Sequence, residues 1–152
     1  MLKIGDKAPD FNLPTDVGLI ALSSLSDKKV VVYFYPKDNT SGCTQEACDF
    51  RDSYARLSAH VHLVGISKDS PKSHQNFKSK HQLPFTLASD LDGSVCEKYG
   101  VWILKSMYGR SYYGIERATF LIGENGNILK IWRKVSVKGH VEEILSSIFE
   151  LA

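Results

Sequence analysis

The sequence has no apolar run of membrane-spanning length, and its first residues, Met1-Leu2-Lys3-Ile4-Gly5-Asp6, lack the apolar core of a secretory signal. No membrane association is therefore expected, and the cytoplasm is the expected location. Charge of one sign is also missing. Nineteen Lys and Arg against seventeen Asp and Glu leave a formal net charge of +2, too little to suggest nucleic acid or an anionic surface as a partner. Cysteine is scarce and odd in number, at three, which argues against a secreted disulfide scaffold of this size. There is no Cys-x2-Cys pair, no internal repeat, no low-complexity segment and no linker. What remains is ordinary globular composition, 43% hydrophobic and 24% charged, over 152 residues, so residues 1–152 are expected to form a single domain.

The stretch that stands out runs over residues 36–48. An apolar run, Val30-Val31-Val32-Tyr33-Phe34-Tyr35, leads into it, and an amphipathic segment from Phe50 leads out. A buried strand ends, a polar loop turns over, and a helix begins with Cys43 in its first turn, running to about residue 59. Helix starts carry unpaired N–H groups and partial positive charge, so a cysteine there is placed to hold a thiolate. Pro36, Thr40 and Cys43 stand at Pro-x3-Thr-x2-Cys spacing, and Cys48 follows five residues after Cys43.

Elsewhere, unbroken apolar runs predict strands at 29–35 and 61–67, with a further strand at 84–88. An edge strand bounded by prolines is expected over 8–14 and a helical turn near 23–26. Asp69 or Ser70 caps a helix with Pro71 in its first turn, ending near residue 82. A short helix is expected at 94–99, and a connection or weak strand at 108–113. Asn125-Gly126 marks a hairpin between strands at 117–122 and 128–132, and the apolar positions Val141, Ile144, Leu145 and Ile148 predict a closing helix. This order gives an α/β sandwich with a mixed central sheet and helices on both faces. Sites of such sheets lie at the carboxyl ends of strands, where the 36–43 loop falls.

The segment Tyr35-Pro36-Lys37-Asp38-Asn39-Thr40-Ser41-Gly42-Cys43-Thr44 resembles the active-site signature of the peroxiredoxins, and more narrowly their Q-type, bacterioferritin comigratory branch. The resemblance extends from Gly5-Asp6-Lys7-Ala8-Pro9-Asp10-Phe11 through Gly65-Ile66-Ser67, Ser89-Asp90 and Tyr99-Gly100-Val101 to Arg117-Ala118-Thr119-Phe120-Leu121-Ile122. It implies a thioredoxin-like fold and reduction of hydrogen peroxide and organic hydroperoxides by a thiol, without metal, haem or flavin. It also implies recycling by thioredoxin or a similar dithiol protein, and a monomer. Ser41 departs from the branch, which commonly has proline there.

By the same resemblance, Cys43 is the peroxidatic nucleophile and Cys48 the resolving cysteine. Thr40 would accept from the peroxide and donate to the sulfur, and Arg117 would hold the thiolate and the peroxide oxygens. Pro36 would shape the loop and shield the sulfur. The Gly42 and Cys43 amides would add donors, and Glu46 would orient Arg117. Residues five apart on a regular helix have Cα atoms roughly 8.7 Å apart. A disulfide needs about 4.4–6.8 Å. Joining Cys43 to Cys48 should therefore unwind the first helical turns and draw out the loop before them. Cys96 is expected to be a packed core thiol, and the histidines show no partner in sequence. The residues also admit a thioredoxin-like dithiol oxidoreductase, disfavoured by the Cys-x4-Cys spacing and Thr40, and a non-catalytic redox sensor or chaperone-like protein.

Overall fold

A computed structural model describes residues 1–151. Its centre is β3 (Lys29–Phe34), in a five-stranded sheet of order β5-β4-β3-β8-β9. β4 (Val61–Ser67) and β5 (Thr86–Ser89) run parallel to β3, while β8 (Ala118–Ile122) and β9 (Ile128–Trp132) complete the other side as an antiparallel pair. The mixed sheet is as expected. β3 has no polar alternation because both of its faces are covered. Val30, Val32 and Phe34 enter one core with Phe11, Tyr99 and Phe120. Val31, Tyr33 and Tyr35 enter the other with Phe50, Phe77 and Ile144.

α1 (Ser41–Asp52), α2 (Tyr54–Ser58), α3 (Pro71–His81) and α5 (His140–Glu150) all contribute to the second core. The first is closed by α4 (Ser94–Lys98), a 3-10 turn at Leu22–Leu25 and the N-terminal segment. The Ser70 hydroxyl caps α3 by accepting from the Ser73 amide, with Pro71 in the first turn.

Three expectations need correction. The helix expected over 43–59 is two, because Ser53 turns out of helical geometry and its amide is shared between the Asp49 and Phe50 carbonyls. The apolar stripe Phe50, Leu57 continues across the break, which hid it in the sequence. The edge strand expected over 8–14 is instead a hairpin, β1 (Asn12–Thr15) with β2 (Gly18–Ala21), whose turn is held by the Thr15 hydroxyl. The connection or weak strand expected at 108–113 is a strand, β7 (Arg110–Ile115), and it pairs in a hairpin with an unexpected one, β6 (Trp102–Met107). Its turn places Tyr108 and Gly109 at positive φ, and most of its side chains face solvent, so no apolar alternation announces it.

Gly65 in β4 is where the sheet meets the aromatic stack of the second core. A Cβ there would lie 2.8 Å from Tyr33 ring carbons and from Leu87 Cδ2. Gly65→Ala should therefore destabilise the protein by about 1–3 kcal/mol, the usual cost of overpacking. Urea denaturation followed by far-ultraviolet circular dichroism reads this directly.

Candidate active site

The end of β3 and the start of β8 bring the site together. Phe34 pairs with Ala118, so Arg117 lies one residue beyond that pair, beside the loop that leaves β3. The loop over 36–40 then delivers the chain to α1, and Cys43 is the third residue of that helix, 2% exposed. Arg117 reaches across to it. Its Nη2 donates to Cys43 Sγ at 3.3 Å, and its Nη1 donates to Glu46 Oε1 at 2.6 Å. One planar fork thus serves a sulfur and a carboxylate one helical turn apart, an arrangement an ammonium could not reproduce. Gly42 makes room for it, since a Cβ there would lie 3.2 Å from Arg117 Nη2.

Glu46 is 1% exposed, and its second oxygen, Oε2, is buried without a hydrogen-bond partner; so is the Tyr33 hydroxyl. Burial raises the Glu46 pKa to about 7, against the pull of the Arg117 charge and its hydrogen bond. His140 lies on the same side. Its Nε2 hydrogen-bonds the Thr119 hydroxyl at 2.7 Å, and burial together with the Arg117 charge lowers its pKa to about 4, leaving a neutral ring near neutrality.

The other residues singled out in the sequence fall as follows. Thr40 occupies the N-cap of α1, but its hydroxyl donates to the Lys37 carbonyl at 2.9 Å and not to the sulfur. The loop closes on itself through that bond, and the Thr40 oxygen keeps lone pairs to accept another donor. Ser41 is the first helical residue. Pro36 is on the exposed surface of the loop. Cys48 lies half-buried in the same unbroken helix as Cys43, and both are free thiols. Cys96 is fully buried, and burial with the neighbouring Asp90 carboxylate pushes its pKa up, as befits a packed thiol.

Three histidines passed over in the sequence have hydrogen-bond partners; one, His62, meets Asp27 at the surface at 2.8 Å. His140 meets Thr119, and His74 meets Asp38 inside the loop's own motif. Only the Asp38 half of the last pair carried a signal, because the partners lie 36 residues apart.

The AhpC/TSA family model matches residues 4–131. Peroxiredoxin Bcp of Bacillus subtilis is 48% identical, covering 99% of this chain and 98% of that protein. A Coxiella burnetii protein of the same bcp designation is 57% identical, covering 95% of this chain and 97% of its own length. Among solved structures, a PrxQ mutant of Xylella fastidiosa superposes with a TM-score of 0.93 at 36% identity, covering 99% of this chain and 98% of that one. The bacterioferritin comigratory protein of Xanthomonas campestris superposes at 0.90 and 36% identity, with 99% and 98% covered. The fold is thus thioredoxin-like, as expected, and the molecule is a thiol-dependent peroxidase. Within that class, the chain belongs to the AhpC/TSA family of peroxiredoxins, in its Bcp (PrxQ) branch.

The buried Glu46 carries a pH signature. With its pKa raised on folding, the folded state holds the proton more tightly than the unfolded chain does. Its contribution is fully present below the unfolded value of about 4.5 and is lost as pH rises to about 7. Glu46→Gln should remove a loss of at most about 3 kcal/mol across that window. Urea titrations of both proteins at pH 4.5 and pH 8 give the difference; parallel pH profiles would contradict it.

Proposed function

We propose that Cys43 is the peroxidatic residue and that its thiolate attacks one oxygen of a hydroperoxide in line with the O–O bond. The sulfur becomes a sulfenic acid, and the departing oxygen takes up a proton to leave as water or an alcohol. The observation that carries this reading is the 3.3 Å contact from Arg117 to the Cys43 sulfur in a buried helix start. The guanidinium stabilises the thiolate, and its donors lie where charge develops on the peroxide. Glu46 fixes the plane of the fork. Thr40, its own proton engaged by the Lys37 carbonyl, accepts from the O–H of the peroxide under attack. Pro36 shapes the loop, and the Gly42 and Cys43 amides add donors.

Cys48 resolves the sulfenic acid. Its thiolate displaces the sulfenic oxygen, which leaves as water, and a Cys43–Cys48 disulfide forms. Thioredoxin or a similar dithiol protein then reduces that bond by exchange, becoming a disulfide itself. Both cysteines lie on α1, so the pairing requires its first turns to unwind. Substrates include hydrogen peroxide and organic hydroperoxides; the Xanthomonas campestris relative was studied for its alkyl peroxide reduction activity. Among the described residues no helix is long and apolar enough to cross a membrane, and we place the enzyme in the cytoplasm as a single-domain monomer.

Cys43→Ser should abolish peroxide consumption in a coupled thioredoxin assay, whereas Cys96→Ser should retain most of it. Full activity of the Cys43→Ser protein would overturn the assignment. Arg117→Ala should slow the peroxide step by roughly 10²–10³, the worth of a preorganised donor. Stopped-flow measurement at constant pH reads that rate, and an unchanged value would leave Arg117 only a structural partner of Glu46. In Cys48→Ser, sulfenic acid should accumulate on Cys43 and pass to sulfinic acid with excess peroxide, visible as successive mass increments.

A further inference from the structure

Asp38, in the loop before Cys43, is 5% exposed yet surrounded by polar partners. Its carboxylate accepts from the Tyr35 hydroxyl at 2.6 Å, from the Ser73 hydroxyl at 2.8 Å and from His74 Nδ1 at 2.8 Å. Its amide donates to Asp69 Oδ2 at 2.8 Å, and that carboxylate is held in turn by the Ser67 hydroxyl at 2.7 Å. Asp38, Asp69 and His74 bring ligand-type atoms within 4.8 Å of one another, but hydrogen bonds already engage them.

The other nitrogen of His74, Nε2, lies 3.2 Å from the Ala88 carbonyl. A carbonyl only accepts, so Nε2 carries a hydrogen. A lone pair on Nδ1 would then face a carboxylate, so one proton must lie between Nδ1 and Asp38 Oδ2. Both side chains are essentially sealed from water, at 0% and 1% exposure. Removing one partner of such a buried pair leaves the other uncompensated and costs heavily.

Every one of these partners belongs to β3, β4, α3 or β5, or to the residues at their ends; none belongs to α1. Asn39 follows at φ 64, in the left-handed region that asparagine tolerates. We propose, resting on the reading above, that Asp38 and His74 are positioning residues that clamp the loop through Asp38. On this proposal the turn at Asn39 is the hinge at which α1 unwinds. The clamp keeps the loop in place while Cys43 reacts and while Cys43 moves toward Cys48. The loop is then not drawn out on oxidation; the change stops at Asn39.

Single-turnover stopped-flow separates the clamp from a general loss of stability. Asp38→Ala should slow Cys43 oxidation by roughly 10–100-fold, as misplacement of a reacting group does, without slowing the later disulfide step. Asp38→Asn should recover most of that loss. Its amide can donate to a neutral His74 Nδ1 while its oxygen accepts from Tyr35. A wild-type rate in Asp38→Ala, or equal slowing of both steps in both variants, would overturn the clamp.

Amide exchange supplies a readout independent of turnover and of that variant's folding. In reduced wild-type protein the Asp38 amide should be protected, and His74→Gln should raise its exchange at least about tenfold relative to β3 amides. In the oxidised wild type, residues 41–48 should exchange faster while Asp38 stays protected. Unchanged Asp38 exchange in His74→Gln, or equal loss at Asp38 and along α1 on oxidation, would contradict the clamp. A wild-type protein that leaves peroxide unconsumed would contradict the proposed function instead, and the reduced-state exchange would still decide the clamp.

Discussion

The site depends on one guanidinium shared between a sulfur and a carboxylate. Arg117 sits just before β8, and Cys43 and Glu46 sit one turn apart on α1, so their meeting fixes how the helix start docks on the sheet. The geometry is demanding because Glu46 is buried with one oxygen unpartnered, and only the arginine's charge and hydrogen bond offset that desolvation. Gly42 has no side chain where the fork passes, and the antiparallel pairing of β3 with β8 brings the arginine to the loop. Remove the shared contact and the neighbouring features lose their purpose.

That docking also sets up a tension. In the reduced state α1 is continuous from Ser41 through Cys48, which holds the sulfur against Arg117. The proposed disulfide cannot form in that helix. Unwinding would carry Glu46 away from Arg117 along with Cys43, since Glu46 lies between the two cysteines. The reduced form thus combines the helical hydrogen bonds with the ion pair, and the proposed oxidation would give up both locally. The anchors on the loop side, through Asp38 and His74, are separate from those on the helix side, so one can hold while the other opens.

Much of this was legible in the amino-acid sequence, for different reasons. The strands at Lys29–Phe34 and Val61–Ser67 were legible because full burial leaves an unbroken apolar run, and α3 because Ser70 and Pro71 mark its start. Cys43 and Arg117 stand out by family resemblance and Glu46 by its place one turn after Cys43, and the structure brings these three into contact. The Thr40 hydroxyl was expected on the sulfur and instead bonds Lys37, because a local carbonyl three residues back is nearer to hand. Of the hairpin over 102–115 only a weak strand near 108–113 was legible, because an exposed, tyrosine-rich pair has no buried face to impose alternation. The His74 partnership left no trace because side chains 36 residues apart meet only through the fold.

The proposed redox cycle runs between Cys43 and Cys48, not between Cys43 and Cys96. Cys96 is fully buried against Asp90 in α4, in the core on the opposite face of the sheet from Cys43. Peptide mapping by mass spectrometry after one equivalent of peroxide, with free thiols blocked under denaturing conditions, tests it most directly. A Cys43–Cys48 linkage is expected, with Cys96 recovered as a blocked thiol. A Cys43–Cys96 linkage would contradict it.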